Sequence, residues 1–199
     1  MLASRRYHAR MLEARLEQQF IDSADCKYQI APLLVQPLSA AVEAILAAVT
    51  SGGKVWSVGA GPTAALATYV SHLLLAGFER ERPGLAAQAL HSGDGDDATT
   101  LLRRLNIWAS AEDVLLVLSV ASAETSLVPL IDAAQDLGMT VVALVGGDGG
   151  EVLNSLLDTD VVISIEHARL GRVLELQHMA LHALCDGLDA QLLGEEIKE

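Results

Sequence analysis

Cysteine, positive charge and long apolar runs are all scarce in this sequence, and each shortage excludes something. Only two cysteines occur, Cys26 and Cys185. Two thiols so far apart give neither a disulfide framework nor metal-ligand spacing, and they read as reduced thiols in a reducing compartment. Thirteen Lys and Arg stand against twenty-six Asp and Glu, a formal net charge of -13. Broad attachment to nucleic acid needs basic surface to displace counterions, so direct nucleic-acid binding is excluded and any link to DNA would run through a protein partner. No run reaches the roughly 18 uninterrupted apolar residues that span a bilayer, so a soluble chain without membrane attachment is expected. Residues 1–10 are basic, but charged helix-like sequence follows them instead of an apolar signal core. A cytoplasmic protein is therefore expected. Nor is there a linker, repeat or low-complexity tract, which makes one structural domain the expectation.

What is present is apolar bulk, 51% of the residues. A parallel sheet buried on both faces would absorb part of it and subunit interfaces the rest. Helical spacing runs over about Ser4–Phe20 and again over Leu38–Val49, so residues 1–50 form an N-terminal helical segment that packs on the domain and the oligomer. Residues 51–199 form the domain proper. Lys54–Val58 reads as a strand ending in the turn Gly59-Ala60-Gly61-Pro62, and Pro62 suits the first turn of a helix reaching Leu75. Ala86–Leu90 is the next strand, His91–Asp97 a polar loop, and about Thr99–Ala109 a helix. The apolar run Val114–Ser119 is typical of a central parallel strand. A helix over about Glu124–Leu137 ends at Gly138, Thr140–Val145 is a strand, residues 146–150 a flexible glycine loop, and Glu151–Leu157 a short helix. Asp160–Ile165 closes the sheet before a helix over Leu170–Leu193. Strands alternating with helices specify an α/β fold, a three-layer, doubly wound, flavodoxin-like arrangement around a parallel sheet of about five strands. Ligands of such sheets sit beyond the carboxyl ends of the strands at the switch point, which directs attention to Gly59–Thr63 and Ser119–Ser126.

Gly59-x-Gly61 after a strand has two readings, the opening of a dinucleotide fingerprint or a tight strand-to-helix turn. Ala64 and Ala65 stand where a third glycine would fall, and the following strand ends at His91 instead of an acid, which favours the turn. Ser119, Ser122, Thr125 and Ser126 offer hydroxyls at a helix start, where a phosphate can be held. Alternatively Ser122 or Thr125 caps that helix while the Glu124 carboxylate complements its dipole and repels a phosphate. His178 and His182, four apart on a helix, could share a metal if a further ligand joined them; without one, packed structural histidines are the simpler reading.

Several segments together carry a family resemblance. Ser51-Gly52-Gly53-Lys54-Val55, Gly59-Ala60-Gly61 and Phe78-Glu79-Arg80-Glu81-Arg82-Pro83 resemble the first half of bacterial sedoheptulose-7-phosphate isomerases and of their relatives, the DnaA initiator-associating proteins (DiaA). Asp113-Val114-Leu115-Leu116, Gly138-Met139-Thr140-Val141-Val142-Ala143-Leu144, Asp148-Gly149-Gly150 and Leu184-Cys185-Asp186 follow in the same order. The chain is identified as a member of the sugar isomerase (SIS) domain family over about Val35–Leu193. The resemblance implies a phosphosugar site at Gly59, Gly61, Thr63, Ser119 and Ser122. Where the isomerases have a Gly-Asn-Gly-Gly-Ser loop this chain has Gly59-Ala60-Gly61-Pro62-Thr63. Their Ser-Thr-Ser-Gly-Asn-Ser loop is matched by Ser119-Val120-Ala121-Ser122-Ala123-Glu124. In the family a Glu and a His act as acid and base, with a further His and a Gln completing a metal or substrate site. The corresponding positions here are Leu73, His182, Tyr69 and Leu174, so His182 alone is carried over as catalytic and the active site reads as degenerate.

The resulting expectation is a non-catalytic, DiaA-like homotetramer that regulates replication initiation by binding a DnaA-like initiator protein. Leu192 and Leu193 stand at the position of the Leu-Phe pair through which DiaA contacts DnaA; ordinary helix packing is the other reading of that pair. The alternatives are a phosphoheptose isomerase or a phosphosugar-binding sensor that retains a sugar phosphate without turning it over. No cofactor or metal is expected, zinc entering only with the isomerase alternative.

Overall fold

The computed structural model describes residues 2–90, 98–120 and 124–194, with side chains from Arg10 onward. Two compact units make up the chain, Met1–Leu33 and Leu34–Glu199. The first helix, α1 (Leu2–Thr50), contributes to both. Two separate helices are expected from the periodicity, yet the chain stays helical across Pro32 and Pro37. Each proline removes one backbone donor, but no glycine lies between the two patterns. From Leu34 onward a stripe of Leu34, Ala41, Val42, Ile45 and Ala48 is buried, and that packing is what sustains a helix in a protein. By length and composition alone, Arg10–Thr50 contains an 18-residue window of mean hydropathy 1.7, 22% of it buried, sufficient to cross a membrane. Counting uninterrupted apolar runs misses it because isolated polar residues divide the stretch.

The second unit alternates strand and helix as expected. Its strands are β1 (Val55–Gly59), β2 (Ala87–Leu90), β3 (Val114–Ser119), β4 (Thr140–Gly146) and β5 (Val161–Ile165). Its helices are α2 (Thr63–Ala76), α3 (Ala98–Trp108), α4 (Val128–Asp136), α5 (Gly150–Asn154) and α6 (Leu170–Leu193). All strand pairs are parallel in the order β2-β1-β3-β4-β5. This is the flavodoxin-like order, and β1 and β3 are neighbours at the point where the winding reverses.

Alternating side chains divide the sheet between two layers. Trp56, Val58, Leu115, Val117, Val141, Ala143 and Val145 point to one face and pack with Leu105 of α3 and Leu130, Ile131 and Ala134 of α4. On the other face Ser57 bonds the Ala67 carbonyl at 2.6 Å and Ser71 at 2.7 Å, which seats α2 on β1. There α6 lies over Gly146, where a Cβ would stand 2.4 Å from Val173, and its Gly187 meets Val42 of α1. Two local expectations need correction. The helix expected from Glu124 opens as a 3-10 turn over Thr125–Leu127, neither that turn nor α4 has a side-chain cap, and Pro129 stands in the first turn of α4, where its missing N–H costs nothing. Residues 146–150, expected as a flexible loop, form a bonded turn: the Gly147 and Gly149 N–H groups reach the Ile165 and Gly146 carbonyls, with φ of 63° and 71°.

One buried carboxylate ties the amino ends of β1 and β3 together. Asp113 accepts the Lys54 and Ser110 backbone N–H groups at 2.9 and 3.1 Å and the Trp56 indole N–H at 2.9 Å, with the Lys54 ammonium 2.9 Å away. Burial alone would raise its pKa; the Lys54, Trp56 and Ser110 bonds outweigh that and hold it below the usual 3.8. A carboxyl with a lowered folded-state pKa contributes stability that is fully present above the unfolded-state value and is lost as pH falls through the folded one. Asp113→Ala is expected to cost about 3 kcal/mol in urea unfolding at neutral pH, and the gap between wild type and variant should shrink as pH drops below about 4.

Candidate active site

The carboxyl ends of β1 and β3 lie side by side, with Gly59 opposite Leu118 in the register, so both expected loops open at the switch point. The first turn is built from backbone. A Cβ on Gly59 would stand 2.5 Å from the Thr63 carbonyl oxygen, so only glycine fits. Gly61 is exposed with φ of 54° and open space around its Cα. Thr63 corrects an expectation: fully buried, its Oγ1 accepts the Ala60 N–H at 3.0 Å and lies 2.8 Å from both the Ala60 and Leu118 carbonyls. Its hydroxyl staples the turn to β3 and is not offered to a ligand. Ser119 is 1% exposed, and its carbonyl accepts the Gln177 amide at 2.7 Å. Ser122 lies outside the described residues. Glu124 turns back across the loop, its Oε2 accepting the Val120 N–H at 3.2 Å. A carboxylate thus stands at the loop where a phosphate was expected.

The second grouping joins α2, the segment after it, and α6. Tyr69 Oη and His182 Nε2 lie 2.8 Å apart. The His178 ring meets Tyr69 edge-on at 4.8 Å and His182 at 4.6 Å between centroids, and Phe78 covers His182 at 4.9 Å. Tyr69, Phe78 and His182 are half-buried and His178 exposed. The expected catalytic histidine therefore has a proton-carrying partner that counting acids and bases by position missed. The helical phase could have found it: Tyr69 shares a face with Leu73, the position of the family's acid. Leu73 is buried at 8% exposure, Leu174 is half-buried, and His72 is exposed, so no slip of register returns a histidine to that face. Glu175 is ion-paired with Arg172. Burial and the neighbouring His178 push the His182 pKa below 6.5, against the opposing pull of Glu79, so the ring is neutral at pH 7. Zinc does not fit. The metal needs about four N, S or O ligands, two of the four family positions are leucine, and among the described residues no group of three or more His, Cys, Asp or Glu could hold a metal ion.

The joint between α2 and α6 is locked from below. Arg82 Nε bonds Asp189 Oδ1 at 2.5 Å, and its Nη1 reaches the Leu74 and Pro83 carbonyls at 2.9 and 3.1 Å. The two side chains are 1% and 2% exposed. Asp189 and burial together raise the nearby Cys185 thiol to about 12, burial being the larger cause, so it stays protonated. A cleft of about 360 Å³ lined by Trp56, Gln88, Arg104 and Trp108 opens on the α3 face of the sheet, opposite this grouping.

A doubly wound sheet with glycine turns at its switch point and a histidine facing α2 is the architecture that the sugar isomerase resemblance implies. The sequence matches the SIS domain family over residues 20–146. It is 40% identical over 195 residues to a phosphoheptose isomerase of Methylibium petroleiphilum, covering 94% of this chain and 98% of that protein. A phosphoheptose isomerase of Aromatoleum aromaticum is 35% identical over 92% of this chain and 96% of its own length. Among solved structures, phosphoheptose isomerase GmhA from Neisseria gonorrhoeae superposes with a TM-score of 0.80 at 29% identity, covering 89% of this chain and 99% of that one. The chain belongs to the SIS domain family, in its phosphoheptose isomerase branch.

These relatives overturn the expectation of a non-catalytic, DiaA-like regulator. That reading took Leu73 as the loss of the reaction, whereas phosphoheptose isomerases match over more than nine-tenths of the chain. Leu192 and Leu193, 36% and 41% exposed in the last turn of α6, lose their assigned role with it.

Removing one partner of the Arg82–Asp189 pair strands a buried charge. Asp189→Ala is expected to lower stability by about 3–5 kcal/mol, and Arg82→Met with Asp189→Leu together by much less; chemical denaturation of the two variants checks this.

Proposed function

We propose that this protein is a phosphoheptose isomerase, interconverting the ketose sedoheptulose 7-phosphate and the aldose D-glycero-D-manno-heptose 7-phosphate in the cytoplasm. The observation that carries the proposal is near full-length similarity to phosphoheptose isomerases, 40% identical in one case, in a chain that keeps His182 half-buried beside a hydroxyl. Isomerisation moves one proton between adjacent carbons and another between their oxygens, which asks for groups that change protonation state within hydrogen-bond reach. The switch-point turn supports phosphate binding through main chain, because Gly61 presents no side chain to an approaching anion.

A second reading, a sensor that binds the sugar phosphate without turnover, is favoured by Leu73, a side chain that cannot carry a proton. Incubation of the purified protein with sedoheptulose 7-phosphate separates the two. Appearance of the aldose, abolished in His182→Ala, supports the isomerase. A raised melting temperature without product leaves the sensor, and neither effect removes both.

We also propose self-association into a homotetramer. Met11, Phe20, Tyr28 and Leu33 are 59, 80, 86 and 72% exposed, and large apolar side chains gathered on one segment mark an interaction surface. Light scattering should give four times 21.0 kDa for the wild type and a smaller mass for Phe20→Glu with Leu33→Glu.

A further inference from the structure

We infer that Tyr69 and His182 together form the proton-transferring pair of this protein's isomerisation and that the reaction runs without a metal ion. The inference rests on the isomerase reading above and says which atoms do the work. It starts from a mismatch. The family pattern places two histidines, a glutamate and a glutamine around the reacting carbons, a set able to hold a metal, whereas the same positions here are Tyr69, His182, Leu73 and Leu174. Leucine donates no electron pair. The imidazoles of His178 and His182 would supply at most two ligands, and the Tyr69 hydroxyl is engaged with Nε2 of His182.

What the four positions retain is a base and an acid in contact. At 2.8 Å a proton can pass between Oη and Nε2 with no movement of either ring. Phe78 and His178 wall the imidazole on two sides. The titratable groups facing it are Tyr69 from α2, Glu79 from the segment after α2, and His178 one turn earlier on α6. Glu79 is exposed and makes its influence through space, so no carboxylate competes for the proton inside the grouping. A neutral imidazole is the form a base requires.

The step balances with these two groups alone. An entering ketose replaces the Tyr69–His182 hydrogen bond. His182 Nε2 takes a proton from the carbon next to the carbonyl, the C–H electron pair becomes the carbon–carbon double bond, and the carbonyl pair moves to oxygen, which receives the Tyr69 phenolic proton. The enediol then faces an imidazolium and a tyrosinate. The imidazolium returns its proton to the former carbonyl carbon, the tyrosinate takes the hydroxyl proton from the neighbouring oxygen, and the aldose leaves both residues as they began. His178 is a positioning residue in this scheme, holding the His182 ring edge-on.

Sedoheptulose 7-phosphate turnover is measured with Tyr69→Phe, His182→Ala and wild type, each dialysed against chelator, alongside calorimetric titration of zinc into the metal-stripped proteins. The expected result is wild-type turnover unchanged by chelator, kcat lowered about 100-fold or more in both variants, KM little altered, and no zinc binding that His182→Ala removes. Tyr69→Phe keeps the ring, so an unchanged melting temperature separates lost chemistry from lost folding. Turnover that chelator abolishes and zinc restores, a zinc site that disappears in His182→Ala, or a Tyr69→Phe enzyme as fast as wild type would each overturn the inference while leaving an isomerase. Wild type that binds the sugar phosphate and never converts it overturns the isomerase reading, and this pair's role with it.

Discussion

The site depends on a buried ion pair that never touches it. Arg82 and Asp189 meet with almost no water access, and the guanidinium also takes the carbonyls of Leu74 and Pro83. Charges withdrawn from water in this way return little net stability, because desolvation offsets most of their attraction. Their consequence is geometric. The chain leaves α2 through Gly77 at φ of 91°, a conformation a side chain would resist and where a Cβ would stand 2.7 Å from the Arg80 carbonyl. It then doubles back so that Arg82 reaches under α6. Phe78 and Glu79 ride on that doubled segment, and Tyr69 and His182 project from the two helices it joins. With the pair in place, Tyr69 and His182 sit within hydrogen-bond distance, and Arg80 on the same segment adds a second tie, its Nη1 donating to the Gly194 carbonyl at 2.7 Å just past the end of α6.

The strands and most helices were legible because their signals are local. Val114–Ser119 is an apolar run bounded by polar residues, and the structure gives β3 those limits; the Leu- and Ala-rich run from Leu170 becomes α6 to the residue. The stretch between the two amino-terminal patterns was not legible, since two prolines suggest a break while the packing that overrides them is tertiary. One hydroxyl was misjudged for a related reason. The resemblance makes Thr63 a ligand donor, but a switch point also has backbone groups to satisfy, and its buried hydroxyl already bonds them. The Phe78–Pro83 motif was visible in sequence, yet its meaning, a clamp built from Arg82, required the position of Asp189 more than a hundred residues away.

Electrostatics at the carboxyl ends of the strands run against a simple phosphate cradle. A chain of net charge -13 already disfavours dianions at long range, and Glu124 brings a carboxylate onto the Val120 N–H. An anionic sugar therefore gains more in the Gly59–Pro62 turn at Gly61, which is exposed and has no acid bonded beside it, than at the loop after β3. Position along α2 relates that turn to the chemistry: Tyr69 stands six residues beyond Thr63, about 9 Å along the axis. A seven-carbon sugar phosphate is an extended molecule, and that spacing suits one end held at the turn and the other at the histidine.

Leu73 is the residue on which the two readings of this protein part, and the physics of the pair gives it a role other than loss. It lies one turn from Tyr69 on the same helical face, buried and apolar. A carboxylate there would raise the pKa of a neighbouring imidazole and hold it protonated, a base already spent at neutral pH. Burial lowers the His182 pKa instead, against Glu79 alone on the other side. An acid is still required at the oxygen, and the phenol O–H of Tyr69, 2.8 Å from His182 Nε2, supplies one. The glutamate and the tyrosine solve the same proton balance from opposite directions, one by a charged group that cycles through neutrality and the other by a neutral group that cycles through charge. The substitutions at positions 69 and 73 therefore make sense together: a leucine alone would remove a proton carrier, and a leucine beside a tyrosine already bonded to the histidine replaces one.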